Sequence, residues 1–184
     1  SGPDNPNGFN EPFFIKEYHD KLLSQFGLAW DTFLPHRIDC SIVGSNGIIS
    51  ELAALVNNDY PKGSNIILKD PRIAYFLPLW EKVSIMMKLE KHFVVPVRYP
   101  SAVAESLAKR NGTSASRSLL IWASSVIESE KHTRGESRSF VEFPAWASDV
   151  PTGISKIGLD LGVTFRISEP GNALKEFDPS LVHH

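Results

Sequence analysis

Phe93-Val94-Val95-Pro96-Val97-Arg98-Tyr99-Pro100-Ser101-Ala102-Val103-Ala104-Glu105-Ser106-Leu107 runs from an apolar stretch through a short turn into helical periodicity. Its first five residues read as a strand. Arg98 to Ser101 form the turn, with a proline suited to a first helical position, and Val103, Ala104, Leu107 and Ala108 mark one face of a helix. Pro96 has no N–H to give to a ladder, which argues against full pairing on both sides of this strand. The same order occurs just before it. Asn65-Ile66-Ile67-Leu68 reads as a buried strand, Lys69-Asp70-Pro71-Arg72 as a polar turn, and Phe76, Leu77, Trp80, Val83, Met86 and Met87 as a helix. Downstream, Asn111-Gly112-Thr113 breaks the chain, and Leu119, Trp122, Ala123, Val126 and Ile127 give a longer helix. Ser139-Phe140-Val141-Glu142-Phe143 then returns to strand character. Strands alternating with helices imply an α/β fold, a three-layer sandwich whose mainly parallel sheet is covered on both faces.

Upstream, Phe14, Tyr18, Leu22, Leu23 and Phe26 recur at helical spacing before Gly27, which predicts a helix over about 11–26. Between Trp30 and Gly47 the signals conflict: Ile38, Cys40 and Ile42 alternate like a strand, while Pro35, Gly44 and Gly47 punctuate like a loop. Ile48, Leu52, Leu55 and Val56 restore the helical period until Asn57 to Gly63 ends it. In the tail, Ile154–Leu161 and Asn172–Phe177 read as short helices. No repeat, low-complexity tract or linker divides the chain, so residues 1–184 read as one domain.

Composition narrows the function classes. A net charge of −2 with 42% hydrophobic and 22% charged residues suits a globular protein rather than a nucleic-acid binder, so any anion site must be local. Cys40 is the single cysteine, which excludes an intrachain disulfide and a CxxC or Cys/His zinc site. No apolar run approaches the roughly 20 residues that cross a bilayer, and the polar start does not resemble a signal peptide, so a soluble cytoplasmic protein is expected.

In an open parallel sheet, ligands bind at the carboxyl ends of strands, so the two basic turns are the first places to look for chemistry. Arg98 stands where a strand ends and a helix begins. Its charge and the free backbone N–H groups of the helix could converge on a phosphate, with the Ser106 hydroxyl as a further donor; a simple pairing of Arg98 with a carboxylate is the alternative.

Leu68-Lys69-Asp70-Pro71-Arg72 followed by Leu77-Pro78-Leu79-Trp80 resembles the "KDPR…LP.W" segment of bacterial sulfotransferase-family proteins. Val97-Arg98-Tyr99-Pro100 through Ser106-Leu107 is similar to the 3'-phosphate motif of that superfamily, in which an arginine at a strand end is followed eight residues later by a serine. Asp4-Asn5-Pro6-Asn7-Gly8-Phe9-Asn10-Glu11 resembles the "DNP.G..E" segment of the family. Leu120-Ile121-Trp122 and the ending Phe177 to His184 resemble further family segments in the same order. The resemblance implies a P-loop NTPase-like fold. It also implies transfer of a sulfonate from 3'-phosphoadenosine-5'-phosphosulfate, as co-substrate, to a hydroxyl or amine on a small-molecule or glycan acceptor, with no metal required. Arg98 and Ser106 would hold the 3'-phosphate, Lys69 would lie near the transferred sulfonate, and Arg72 would assist in donor binding. Glu11 would take the acceptor's proton.

The chain departs from the family pattern in one respect. The Gly- and Ser/Thr-rich basic loop that cradles the 5'-phosphosulfate in that family precedes the "DNP.G..E" segment and is not in this sequence. Gly44-Ser45-Asn46-Gly47 carries no basic residue and reads as a helix-start loop. The expectation is a domain missing its first strand, weakly active or inactive alone, with sheet edges open to self-association. A non-catalytic nucleotide- or partner-binding domain of the same fold is the alternative. Kinase-type phosphoryl transfer would need a P-loop lysine and magnesium ligands that no residues here supply.

Several residues keep two readings. Lys69 is an active-site cation or the partner of a carboxylate, and Asp70 orients Lys69 or Arg72, or caps the helix near Pro71. Arg72 either binds donor or forms a structural ion pair, and Glu11 is a base or a first-turn glutamate favoured by the helix dipole. Lys109, Arg110 and Arg117 extend the phosphate pocket or are solvated. Trp80 and Trp122 read as core, and His19, His36, His92 and His132 show no ligand spacing.

Overall fold

The computed structural model describes residues 11–143 and 149–165. The segments 4–10, 172–177 and 177–184, on which part of the sequence reading falls, lie outside the described residues. The chain is α/β, and its contacts cluster into two units: Ser1–Glu90 with Ser124–His132, and Lys91–Ala123 with Thr133–His184.

The first unit is helical. α1 (Phe13–Gln25) presents Ile15, His19, Leu22 and Leu23 as its buried stripe. Pro35–Arg37 form a 3-10 turn and α2 is Cys40–Val43, so the stretch with conflicting signals is short-helical rather than a strand. Of its alternating residues Ile38 is buried, whereas Ile42 is 51% exposed. α3 (Asn46–Asp59) buries Ile49, Leu52, Ala53 and Val56, and α4 (Ile73–Met87) buries Tyr75, Phe76, Leu77, Leu79 and Val83. Leu22, Leu23, Leu52, Phe76, Leu79 and Val83 meet in one core, each with its apolar surface removed from water at roughly 25 cal/mol per Å2. The Tyr75 hydroxyl donates to the Thr32 carbonyl at 2.8 Å, satisfying the polar end of a buried ring.

Asn65–Leu68 corrects the sequence reading: the segment is in no helix or strand, and Ile67 is 80% exposed. Apolar β-branched character is necessary for a buried strand but does not supply a partner edge, and among the described residues none pairs with this run. The Tyr60 hydroxyl instead donates to the Ile67 carbonyl at 2.7 Å.

The second unit holds the sheet. β1 (Phe93–Val97) pairs in parallel with β2 (Arg138–Glu142), Phe93 opposite Arg138 and Val97 opposite Glu142. α5 (Pro100–Asn111) and α6 (Ala115–Thr133) stand between the two strands in sequence, and α7 (Val150–Leu161) follows β2. Pro96 lies opposite Val141. It is tolerated because, among the described residues, β1 is paired on one side alone. On β2, Val141 packs against Ile157 and Leu161 of α7, with Val163 beside them. Val94 on β1 is 46% exposed, so the expected cover on both faces is not reached there. The breaks follow the local chemistry. Pro100 opens α5, and Gly112, at φ +66°, closes it in the left-handed conformation that glycine adopts without steric cost. The Ser114 side chain accepts from the Arg117 N–H to cap α6.

Among the described residues no helix is long and apolar enough to cross a membrane, and no group of three or more His, Cys, Asp or Glu side chains is arranged to hold a metal.

Candidate functional site

The predicted site residues fall into two groups, one in each unit. In the first unit, the Lys69–Arg72 turn runs into α4 and is organised by Asp70, whose side chain is wholly buried. Asp70 Oδ1 accepts from the backbone N–H of Arg72 at 2.9 Å and from Arg72 Nη1 at 2.8 Å. Asp70 therefore orients Arg72. It does not cap α4, whose N-cap position is Arg72 itself, with no side-chain cap. The turn forms because a carboxylate two residues ahead of an N–H closes a local ring, while Pro71 between them donates nothing.

The other oxygen of Asp70 faces His19. Nδ1 of His19 lies 2.7 Å from Asp70 Oδ2, and the indole N–H of Trp80 donates to His19 Nε2 at 3.0 Å. The imidazole also stacks on Phe76, with ring centroids 5.0 Å apart. Burial would push the Asp70 carboxyl up, but the hydrogen bond from His19 and the N–H of Arg72 outweigh it and hold it down at about 2.

Arg72 collects further carboxylates. Its Nε donates to Asp20 Oδ1 at 2.6 Å, and Nη1 lies 3.5 Å from Glu11 Oε2. Burial disfavours the guanidinium charge, yet its bonds to Asp70 and Asp20 more than compensate, and Arg72 holds its proton more firmly than usual. Lys69 Nζ donates to Glu11 Oε1 at 3.2 Å, and Lys16 Nζ to Asp20 Oδ2 at 3.0 Å. Glu11 precedes α1 rather than standing in its first turn, and its carboxylate bridges Lys69 and Arg72. The helix-dipole reading of Glu11 thus gives way to an ion-pair one. Lys69, Glu11 and Arg72 are brought together, each with an opposite charge beside it.

The second unit carries a cleft of about 490 Å3 lined by Val97, Arg98, Tyr99, Pro100, Trp122, Phe140, Val141 and Glu142. It lies at the carboxyl ends of both parallel strands and at the first turn of α5. The indole N–H of Trp122 donates to the Arg98 carbonyl at 3.0 Å, and the Arg98 guanidinium sits 5.6 Å from the Phe143 ring centroid. Trp122 therefore lines the cleft and fixes its main chain, where its apolar helical face had suggested core. Ser106 is exposed on α5 between the buried Ala104 and Leu107 and is not among the lining residues. Lys109 and Arg110 are exposed in the last turn of α5, where they favour the helix dipole instead of extending the cleft. Gly44-Ser45-Asn46-Gly47 is a helix-start loop with Ser45 at the N-cap of α3, without a side-chain cap.

Sequence reading missed His19. A histidine on the same helical stripe as Ile15, Leu22 and Leu23 must be buried, and a buried imidazole needs two polar partners. That was the available signal. No family model, no curated protein and no solved structure matches this chain.

Proposed function

We propose that this chain is a sulfotransferase-family α/β domain that binds 3'-phosphoadenosine-5'-phosphosulfate, with Arg98 and, on the resemblance alone, Ser106 at the donor's 3'-phosphate. The observation that carries the reading is the position of Arg98. It lines a cleft at the carboxyl ends of two parallel strands and precedes the N-terminus of α5, whose first-turn N–H groups favour an anion. The finer P-loop-like, three-layer architecture belongs to the same proposal and rests on the resemblance of the Lys69–Trp80 and Val97–Leu107 segments. Titration with 3'-phosphoadenosine-5'-phosphate against AMP tests it, because only the former offers the 3'-phosphate.

In catalysis of this class, the acceptor oxygen or nitrogen attacks sulfur as the bond from sulfur to the bridging oxygen of the 5'-phosphate breaks. The acceptor's proton passes to a base, and negative charge collects on the departing oxygen. The resemblance, and not the geometry, gives Lys69 the stabilisation of that charge, Glu11 the proton and Arg72 a part in donor binding.

A second reading, a nucleotide- or partner-binding domain without turnover, is favoured by one observation: Lys69 and Arg72 already meet carboxylates at Glu11, Asp20 and Asp70. Nucleotide binding that requires Arg98, without sulfonate transfer to any acceptor, is its expected signature.

A further inference from the structure

We infer that the Lys69–Arg72 pair is a site for a tetrahedral oxyanion, of the sulfate or phosphate class, and that the Glu11 carboxylate occupies that site as an internal competitor. The inference deepens the sulfonate-donor reading and rests on it for the identity of the natural anion.

Three carboxylates surround Arg72, and they are not equivalent. Asp20 and Asp70 meet it at 2.6 and 2.8 Å, within hydrogen-bonding distance for a charged N–H···O pair. Asp20 stands on α1, and Asp70 is fixed from behind by His19. Glu11 is the looser neighbour, 3.5 Å from Nη1, and it is shared with Lys69 at 3.2 Å. Removing Glu11 would leave Arg72 anchored by its two shorter contacts. One Glu11 oxygen addresses an ammonium and the other a guanidinium, as two oxygens of a sulfonate or phosphate would. The Lys69 side chain is 53% exposed while those of Glu11 and Arg72 are 11% and 7%. Lys69 is thus open to an incoming anion, and the position beside both Lys69 and Arg72 is the one that Glu11 holds. Like charges cannot share the position, so the carboxylate and an incoming oxyanion exclude one another.

The test is calorimetric titration of the full chain with sodium sulfate and, separately, sodium phosphate, chloride balancing the ionic strength. Glu11→Gln keeps the shape and removes the charge, and is expected to bind sulfate at least about tenfold more tightly than the unmodified chain. Adding Lys69→Ala is expected to cancel that gain. Glu11→Asp keeps the charge, shortens the reach, and gives an intermediate gain, which covers the case in which Glu11→Gln fails to fold. A preference for sulfate over phosphate would identify the anion as sulfonate-like, and the reverse preference as phosphate-like. No gain in either Glu11 variant, or a gain that survives Lys69→Ala, overturns the inference. Nucleotide binding at Arg98 without this gain would remove only the inference about Glu11. The gain without nucleotide binding would remove only the donor reading.

Discussion

His19 and Asp70, 51 positions apart, form a wholly buried pair with Nδ1 2.7 Å from Oδ2. Because the indole of Trp80 donates to Nε2, that nitrogen must accept, and Nδ1 carries the proton donated to Asp70. This excludes His19 as a general base toward a ligand, since both nitrogens are committed. The pair instead ties α1 to the turn that carries Lys69 and Arg72. His19→Ala would strand a carboxylate oxygen and an indole N–H, at a cost of roughly 2–4 kcal/mol in urea unfolding. Asp70→Asn would cost roughly 3–5 kcal/mol by leaving Arg72 short of a buried partner. Nitrogen NMR should find the Nδ1–H tautomer; the Nε2–H tautomer would contradict the hydrogen-bond assignment.

The same carboxylate sets an acid limit. Asp70 ionises at about 2 in the folded chain against an ordinary 3.8, so the unfolded state binds its proton first as pH falls. Its contribution, roughly 2 kcal/mol at 1.36 kcal/mol per pKa unit, is fully present above about pH 5 and is lost between about pH 4 and 2. Urea midpoints measured across that range should fall in the unmodified chain. In Asp70→Asn this component of the fall should be missing.

Ile67 tests the correction to the strand reading. At 80% exposure it contributes little buried area, and Ile67→Lys should alter stability by no more than about 0.5 kcal/mol. A loss above about 2 kcal/mol in thermal or urea unfolding would show that the segment 65–68 is buried in solution.

Local chemistry made much of the fold legible. The Phe93–Val97 run, Pro100 at the helix start and Gly112 at its end each act through their own backbone preferences, and the helix and strand followed within a residue or two. The Asn65–Leu68 run misled because a strand is a property of two segments, and periodicity reports on one. In the site, the turn residues Lys69, Arg72 and Arg98 were legible as basic groups at element boundaries. Their partners were not, because Glu11, His19 and Asp20 reach the turn across about 50 residues of chain. Trp122 was misread for a related reason: an apolar helical face predicts burial, but the indole N–H found a carbonyl at the mouth of a cleft.

The central claim is that Arg98 reads a 3'-phosphate. Calorimetric titration of the full chain with 3'-phosphoadenosine-5'-phosphate and with AMP, on the unmodified protein and on Arg98→Ala, tests it most directly. The expected result is binding of the bisphosphate at least about tenfold tighter than AMP, a preference of about 1.4 kcal/mol or more that Arg98→Ala abolishes while the variant stays folded. Equal affinity for the two nucleotides, or a preference unchanged in Arg98→Ala, would contradict it.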